Sequence, residues 1–253
     1  MSVDRERRAE IVKLARLLGT DPEDLAYLEA VPADALARLR DQATDVLFDA
    51  DSTVLAKMAA ASEKLPVALV ATIARHAIGA LVCARVTGHM SPGRAVEIAK
   101  RLDGPFLADI AVETDPRRAA SVLGRMPPDR VVAAARELMT RGEHVAMGRF
   151  VGHLSSEAIR GCVEVIEDAD LLRIAFVLEN KERLPDVVAL LDDDRLSGVL
   201  RAAADDDLWS EAIDLLGHLN AAARRRFARL PGRDALLALV PAGNREEIVV
   251  LIG

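Results

Sequence analysis

Aromatic side chains make up only 3% of this 253-residue sequence, with one Trp and one Tyr. Single-stranded nucleic-acid binders stack bases on such rings, so that class is poorly provided for. Carbohydrate binding, which leans on the same platforms, is disfavoured with it. The core must instead be built from Leu, Val, Ile and Ala, and these side chains favour close helix–helix packing. Cysteine is equally scarce. Cys83 and Cys162 stand alone in apolar helical context without CxxC spacing, which excludes a disulfide framework and a thiolate zinc site. Period-2 alternation and Asn-Gly or Asp-Gly hairpin turns are missing too. So are a phosphate loop, a GxGxxG, an HExxH and a GxSxG. No catalytic residue, metal ligand or cofactor is marked, and the expectation is a non-catalytic protein.

Positive charge is in deficit: the net charge is −7, and an acidic chain repels a phosphate backbone unless its basic residues are segregated. The one dense basic run, "ARRRFAR" at 223–229, has the pattern of a solvated helix face. Nucleic acid is therefore not an expected partner. The start, "MSVDRERRAEIVKL", is charged and amphipathic rather than a secretory signal, and cytoplasmic location is the default expectation. Arg outnumbers Lys, and Ala, Asp and Val abound, the profile of a GC-rich bacterial genome. The most apolar run, "LPVALVATIARHAIGALVCARV" at 65–86, is long enough for a membrane span but carries Arg75 and His76 at its middle. An Arg there costs about 2.5–3.5 kcal/mol even on lenient scales. The expectation is a buried helix and no membrane span.

What the sequence does contain is helical punctuation. "TDPEDL" (20–25), "VPADAL" (31–36), "MSPGRA" (90–95), "TDPRRA" (114–119) and "MPPDRV" (126–131) each place Pro early in a helix, where its missing N–H costs nothing. The result is many short helices. "TGHMSP" (87–92), "VGHLSS" (151–156) and "LGHLNA" (216–221) recur with their histidines about 65 residues apart. "MPPDRV" (126–131) and "LDDDRL" (191–196) show the same offset. These markers predict an all-α fold, an α-solenoid or superhelical array with an internal repeat of about 65 residues. Residues 1–63 fit the register poorly and are expected to be an N-terminal cap on an array spanning 64–253.

"VLGRMPPDRVVAAARELM" (122–139) and, more loosely, "LLDDDRLSGVL" (190–200) resemble the helical repeats in the cytoplasmic N-terminal domain of MgtE-type magnesium transporters, over about 115–231. The resemblance implies a right-handed superhelix of helices, not transport. The chain has no transmembrane bundle, and no metal-binding residue is carried over.

Two sets of residues stand out. Gly88–His89, Gly152–His153 and Gly217–His218 suit helix ends, where His faces orphan carbonyls and the negative dipole end, with Ser91, Ser155 and Asn220 capping the next helix. A full repeat separates these imidazoles, too far to share one metal at about 2 Å. Arg75, His76 and Cys83 are candidate ligand-binding residues. His76 and Cys83, two turns apart, sit roughly 10 Å from each other, too far for direct activation of the thiol. The aspartate triplets at 192–194 and 205–207 suit helix termini. The leading expectation is a protein-interaction or regulatory module whose partner is another protein, since helical arrays present long concave surfaces. The alternative is an apolar small-molecule binder with a pocket beside 65–86. A divalent-cation-responsive module using the aspartates is the third reading.

Overall fold

The computed structural model describes residues 2–49 and 51–252. Every regular element among them is helical, with no strand. The chain begins with α1 (Ser2–Leu18), a 3-10 stretch (Pro22–Ala30), α2 (Ala33–Asp49) and α3 (Ser52–Ser62). It continues through α4 (Val67–Ile73), a π-turn (Ala74–Ile78), α5 (Ala80–Thr87), α6 (Pro92–Ala99) and α7 (Gly104–Glu113). Then come α8 (Ala120–Leu123), α9 (Pro128–Thr140), α10 (His144–Phe150) and α11 (Ser156–Val163). The last helices are α12 (Asp168–Phe176), α13 (Leu184–Leu190), α14 (Asp193–Asp205), α15 (Trp209–His218), α16 (Ala221–Phe227), α17 (Arg233–Ala238) and α18 (Ala242–Ile252). Among the described residues, no helix is long and apolar enough to cross a membrane.

The chain divides into two compact units: Leu39–Val165, and a composite of Met1–Arg38 with Ile166–Gly253. The boundary expected near residue 63 falls inside the first of these. Within the composite unit, Ile11, Leu14 and Ala15 of α1 cluster with Leu25 and Leu36. Helix α1 also packs on α15, and α15 on α12 and α18. Arg5 and Glu247 lock α1 to α18 through two parallel hydrogen bonds of 2.8 Å each, the bidentate fork that makes arginine–carboxylate pairs specific.

In the Leu39–Val165 unit, α7 packs on α5 and α9, α9 on α11, and α4 on α6. The 65–86 run is not one buried helix. It breaks at the π-turn and at Gly79, whose φ of +83° and ψ of 165° lie in a region open essentially to glycine alone. The break sends Arg75 and His76 to the surface. Arg75 meets the Asp103 carboxylate at 2.6 Å, and the same carboxylate caps α7 by accepting from the Phe106 N–H. Two polar side chains in the middle of an apolar run are thereby reconciled with folding: they leave the core.

The three Gly-His pairs are each followed, two residues after the His, by an extended N-cap residue. Each Gly-His closes a helix or a short 3-10 turn, and Ser91, Ser155 and Asn220 follow in extended conformation as N-caps of α6, α11 and α16. Ser155 accepts from the Ala158 N–H and Asn220 from the Ala223 N–H, as expected of a capping side chain. Ser91 instead donates its hydroxyl to Glu63 at 2.7 Å.

Candidate functional site

Three helices of the Leu39–Val165 unit turn the same pattern inward. Positions i, i+3, i+4 and i+7 are Ala95, Ile98, Ala99 and Leu102 from α6 onward. From α7 onward they are Leu107, Ile110, Ala111 and Thr114, and on α9 Val131, Ala134, Ala135 and Leu138; all of these line one cavity. This spacing is the buried stripe of an amphipathic helix. The stripe carries alanine at position i+4 in each case: Ala99, Ala111 and Ala135. With few aromatic rings available to fill the space between such stripes, a void of about 200 Å³ is left among them. Helices α7 and α9 nevertheless run close together, since Gly104 has no Cβ and one built there would stand 3.2 Å from the Ala133 carbonyl oxygen.

The walls are almost wholly hydrocarbon and thioether. Met58, Met90, Met126 and Met147 line the cavity, four of the six methionines in the chain. Methionine is unbranched and polarisable, and surfaces rich in it re-pack around varied apolar partners. The hydroxyls in the wall are spent locally: Ser62 donates to the Ala59 carbonyl, Thr87 to Cys83 and Thr114 to Ile110, at 2.7–2.8 Å. A buried water needs two to four polar partners, and these walls supply few. The π-turn contributes Ala74 and Ile78, consistent with the frequent placement of π-turns at functional sites.

Of the three ligand-binding candidates, only Cys83 reaches this cavity; Arg75 and His76 do not line it. Burial pushes the Cys83 thiol up to about 11, and its Sγ lies 3.8 Å from the Ala74 carbonyl oxygen. At neutral pH it is an apolar wall atom and not a nucleophile. Cys162 is buried and pushed up to about 12 for the same reason. None of the six Gly-His residues lines the cavity, although Leu154, directly after His153, does.

Elsewhere, several charged groups form networks. In the Leu39–Val165 unit the fully buried Asp115 accepts from the backbone N–H and the side chain of Arg117. Arg118 reaches Asp45 and Asp49, and Phe48 has the guanidinium groups of Arg85 and Arg118 each 5.6 Å from its ring centroid. In the composite unit, Lys181 donates to the Ala175 and Phe176 carbonyls and to Asp214, at 2.8, 2.7 and 2.6 Å. Asp214 also lies 3.6 Å from His218. The aspartate triplets act as helix termini: Asp192 caps α14 by accepting from the Arg195 N–H, Asp193 pairs with Arg226, and Asp206 with Arg173. Among the described residues no group of three His, Cys, Asp or Glu side chains could hold a metal ion.

The alanine stripes were the signal for the cavity that sequence reasoning passed over. Their spacing is legible, but which stripes face one another is not. Compared with family models, curated proteins and solved structures, the chain matches none.

Proposed function

We propose that the Leu39–Val165 unit binds a small apolar molecule in the cavity between α6, α7 and α9. The observation that carries this reading is a void of about 200 Å³ whose walls offer water almost nothing. A dry apolar cavity of about 150 Å³ takes up benzene, so the volume suits a compact hydrocarbon ligand and not the larger drug-sized molecules that occupy about 300–1,000 Å³. The protein is then a carrier or sensor of such a molecule, with no reaction of its own.

The test uses the methionine methyl groups as reporters. Toluene titrated into the protein should shift the methyl resonances of Met58, Met90, Met126 and Met147 and leave Met139, which is outside the wall, unmoved. Ala134→Leu should fill the void and abolish the shifts. Methyls that stay still to saturation, or an A134L protein that binds as well as the parent, would overturn the reading.

A second reading keeps the protein-interaction module. It draws on Leu39, Val46 and Leu47, which α2 leaves 50%, 73% and 51% exposed. We also read the three Gly-His turns as marks of a duplicated unit of about 65 residues in an α-solenoid. The extended N-cap residue that follows each of them supports this.

A further inference from the structure

Among the described residues, one side chain in the cavity wall carries a charge: Arg130. It stands in the first turn of α9, and its side chain is 36% exposed. The stem therefore runs along the apolar wall while the guanidinium reaches water, the snorkelling habit of arginine. Its Nε donates to Asp129 at 3.0 Å and its Nη1 reaches the Leu102 carbonyl at 3.5 Å. Nη2 has no hydrogen-bond partner among the described residues. The Asp129 carboxylate is itself 66% exposed, where water and salt screen it. The guanidinium thus marks where the cavity meets solvent, with donors still unspent and with the positive end of a helix behind it.

We propose that the ligand of this cavity is an anionic amphiphile: a short aliphatic chain inside, and a carboxylate head held by Arg130 at the mouth. This rests on the apolar-ligand reading and adds the head group to it. If about 150 Å³ holds the six carbons of benzene, about 200 Å³ holds roughly eight, which points to a medium-length acyl chain. Such a chain would replace the missing bulk of the alanine stripes, and the guanidinium would supply the planar donor pair that carboxylates fit best.

Octanoate and 1-octanol separate the two parts of the idea, because they share a chain and differ in the head. Binding is read by calorimetry and by the methionine methyl shifts. The parent protein should bind octanoate roughly tenfold tighter than 1-octanol, the scale of one charge-assisted hydrogen-bonded pair. Arg130→Gln should remove that preference, so that octanoate and 1-octanol bind about equally whatever the change in their common affinity. Arg130→Lys, which keeps the charge without the fork, should retain part of it. If 1-octanol binds as tightly as octanoate, or R130Q keeps the octanoate preference, the head-group assignment is wrong while the cavity reading stands. If neither compound moves the methyls, the cavity reading fails and the assignment fails with it.

Discussion

At the residue scale, neighbours decide what a titratable side chain does. Cys83 looked like a ligand-binding residue because it shares an apolar run with His76. Its thiol, raised to about 11 by burial, lines the cavity as an unreactive wall atom and not as a nucleophile. Iodoacetamide at pH 7.5 should therefore label it far more slowly than an exposed thiol, and a bound apolar ligand should slow labelling further. Rapid labelling unaffected by ligand would place Cys83 outside the wall. The three Gly-His histidines also part company here. His218 faces the buried Asp214 at 3.6 Å, whereas His89 is exposed. Replacing His218 with Gln should cost stability by about 0.3–1 kcal/mol or somewhat more, the range of a helix-end histidine, while the same change at His89 should sit within about 0.5 kcal/mol of zero. Thermal unfolding of the two variants at pH 6 measures this. Asp214 itself is the more sensitive point. Asp214→Asn leaves the largely buried Lys181 ammonium without its counter-ion, and breaking a buried pair in this way costs about 3–5 kcal/mol, read as a lower urea midpoint.

At the element scale, a broken helix lies at the edge of the cavity and lends it Ala74 and Ile78. The 65–86 run does not continue as one helix, and Arg75 and His76 stand exposed just before the break. Gly79 marks the break by taking a backbone conformation that a side chain resists. Gly79→Ala should destabilise the protein by about 1–3 kcal/mol, seen as a lower midpoint in urea with an unchanged slope, although no atom lies within 4 Å of where the new Cβ would be. A neutral result would mean that the turn adapts and that the break has another cause. The alanine stripes on α6, α7 and α9 work in the opposite sense. They leave space open, and such cavities cost stability in proportion to their volume. Natural cores seldom keep voids much larger than water, and that is why we read this one as occupied in use.

At the scale of the whole molecule, the composite unit joins the beginning of the chain to its end. Arg5 and Glu247 hold α1 against α18 across a separation of 242 residues. The Arg5 hydrogen bonds keep the Glu247 carboxyl below its ordinary 4.5. A carboxylate with a lowered folded value adds stability above the unfolded value, and loses it as the pH falls through the folded one. The parent should therefore be more stable than Glu247→Gln at pH 6 to 7, with the gap narrowing as the pH falls below 4.5 and through the lowered folded value. Melting temperatures followed downward from pH 7 would show this, and a gap that does not narrow with acid would mean the pair acts through packing and not through charge.

Much of the element content was legible in the sequence, because helix period, proline position and capping residues are local properties. Among the described residues, the all-helical fold, the N-caps at Ser155 and Asn220, and the absence of a helix long and apolar enough to span a membrane follow from neighbours within a turn or two. The inward quartets such as 131, 134, 135 and 138 are equally local, since a 3.6-residue period fixes which side chains share a face. What faces that stripe is a different matter. The meeting of three alanine-bearing stripes, the outward turn of Arg75 and His76, and the pairing of Arg5 with Glu247 depend on contacts between distant segments, and no local pattern specifies them. The division of the chain shows this most clearly. Residues 1–63 were expected to form an N-terminal cap, and of these 1–38 belong to one compact unit with residues 166–253 while 39–63 lie in the other. The apolar face of α1 was visible as a stripe, but burial is set by whichever complementary surface the folded chain brings to it, and only the tertiary structure decided that this surface includes α15.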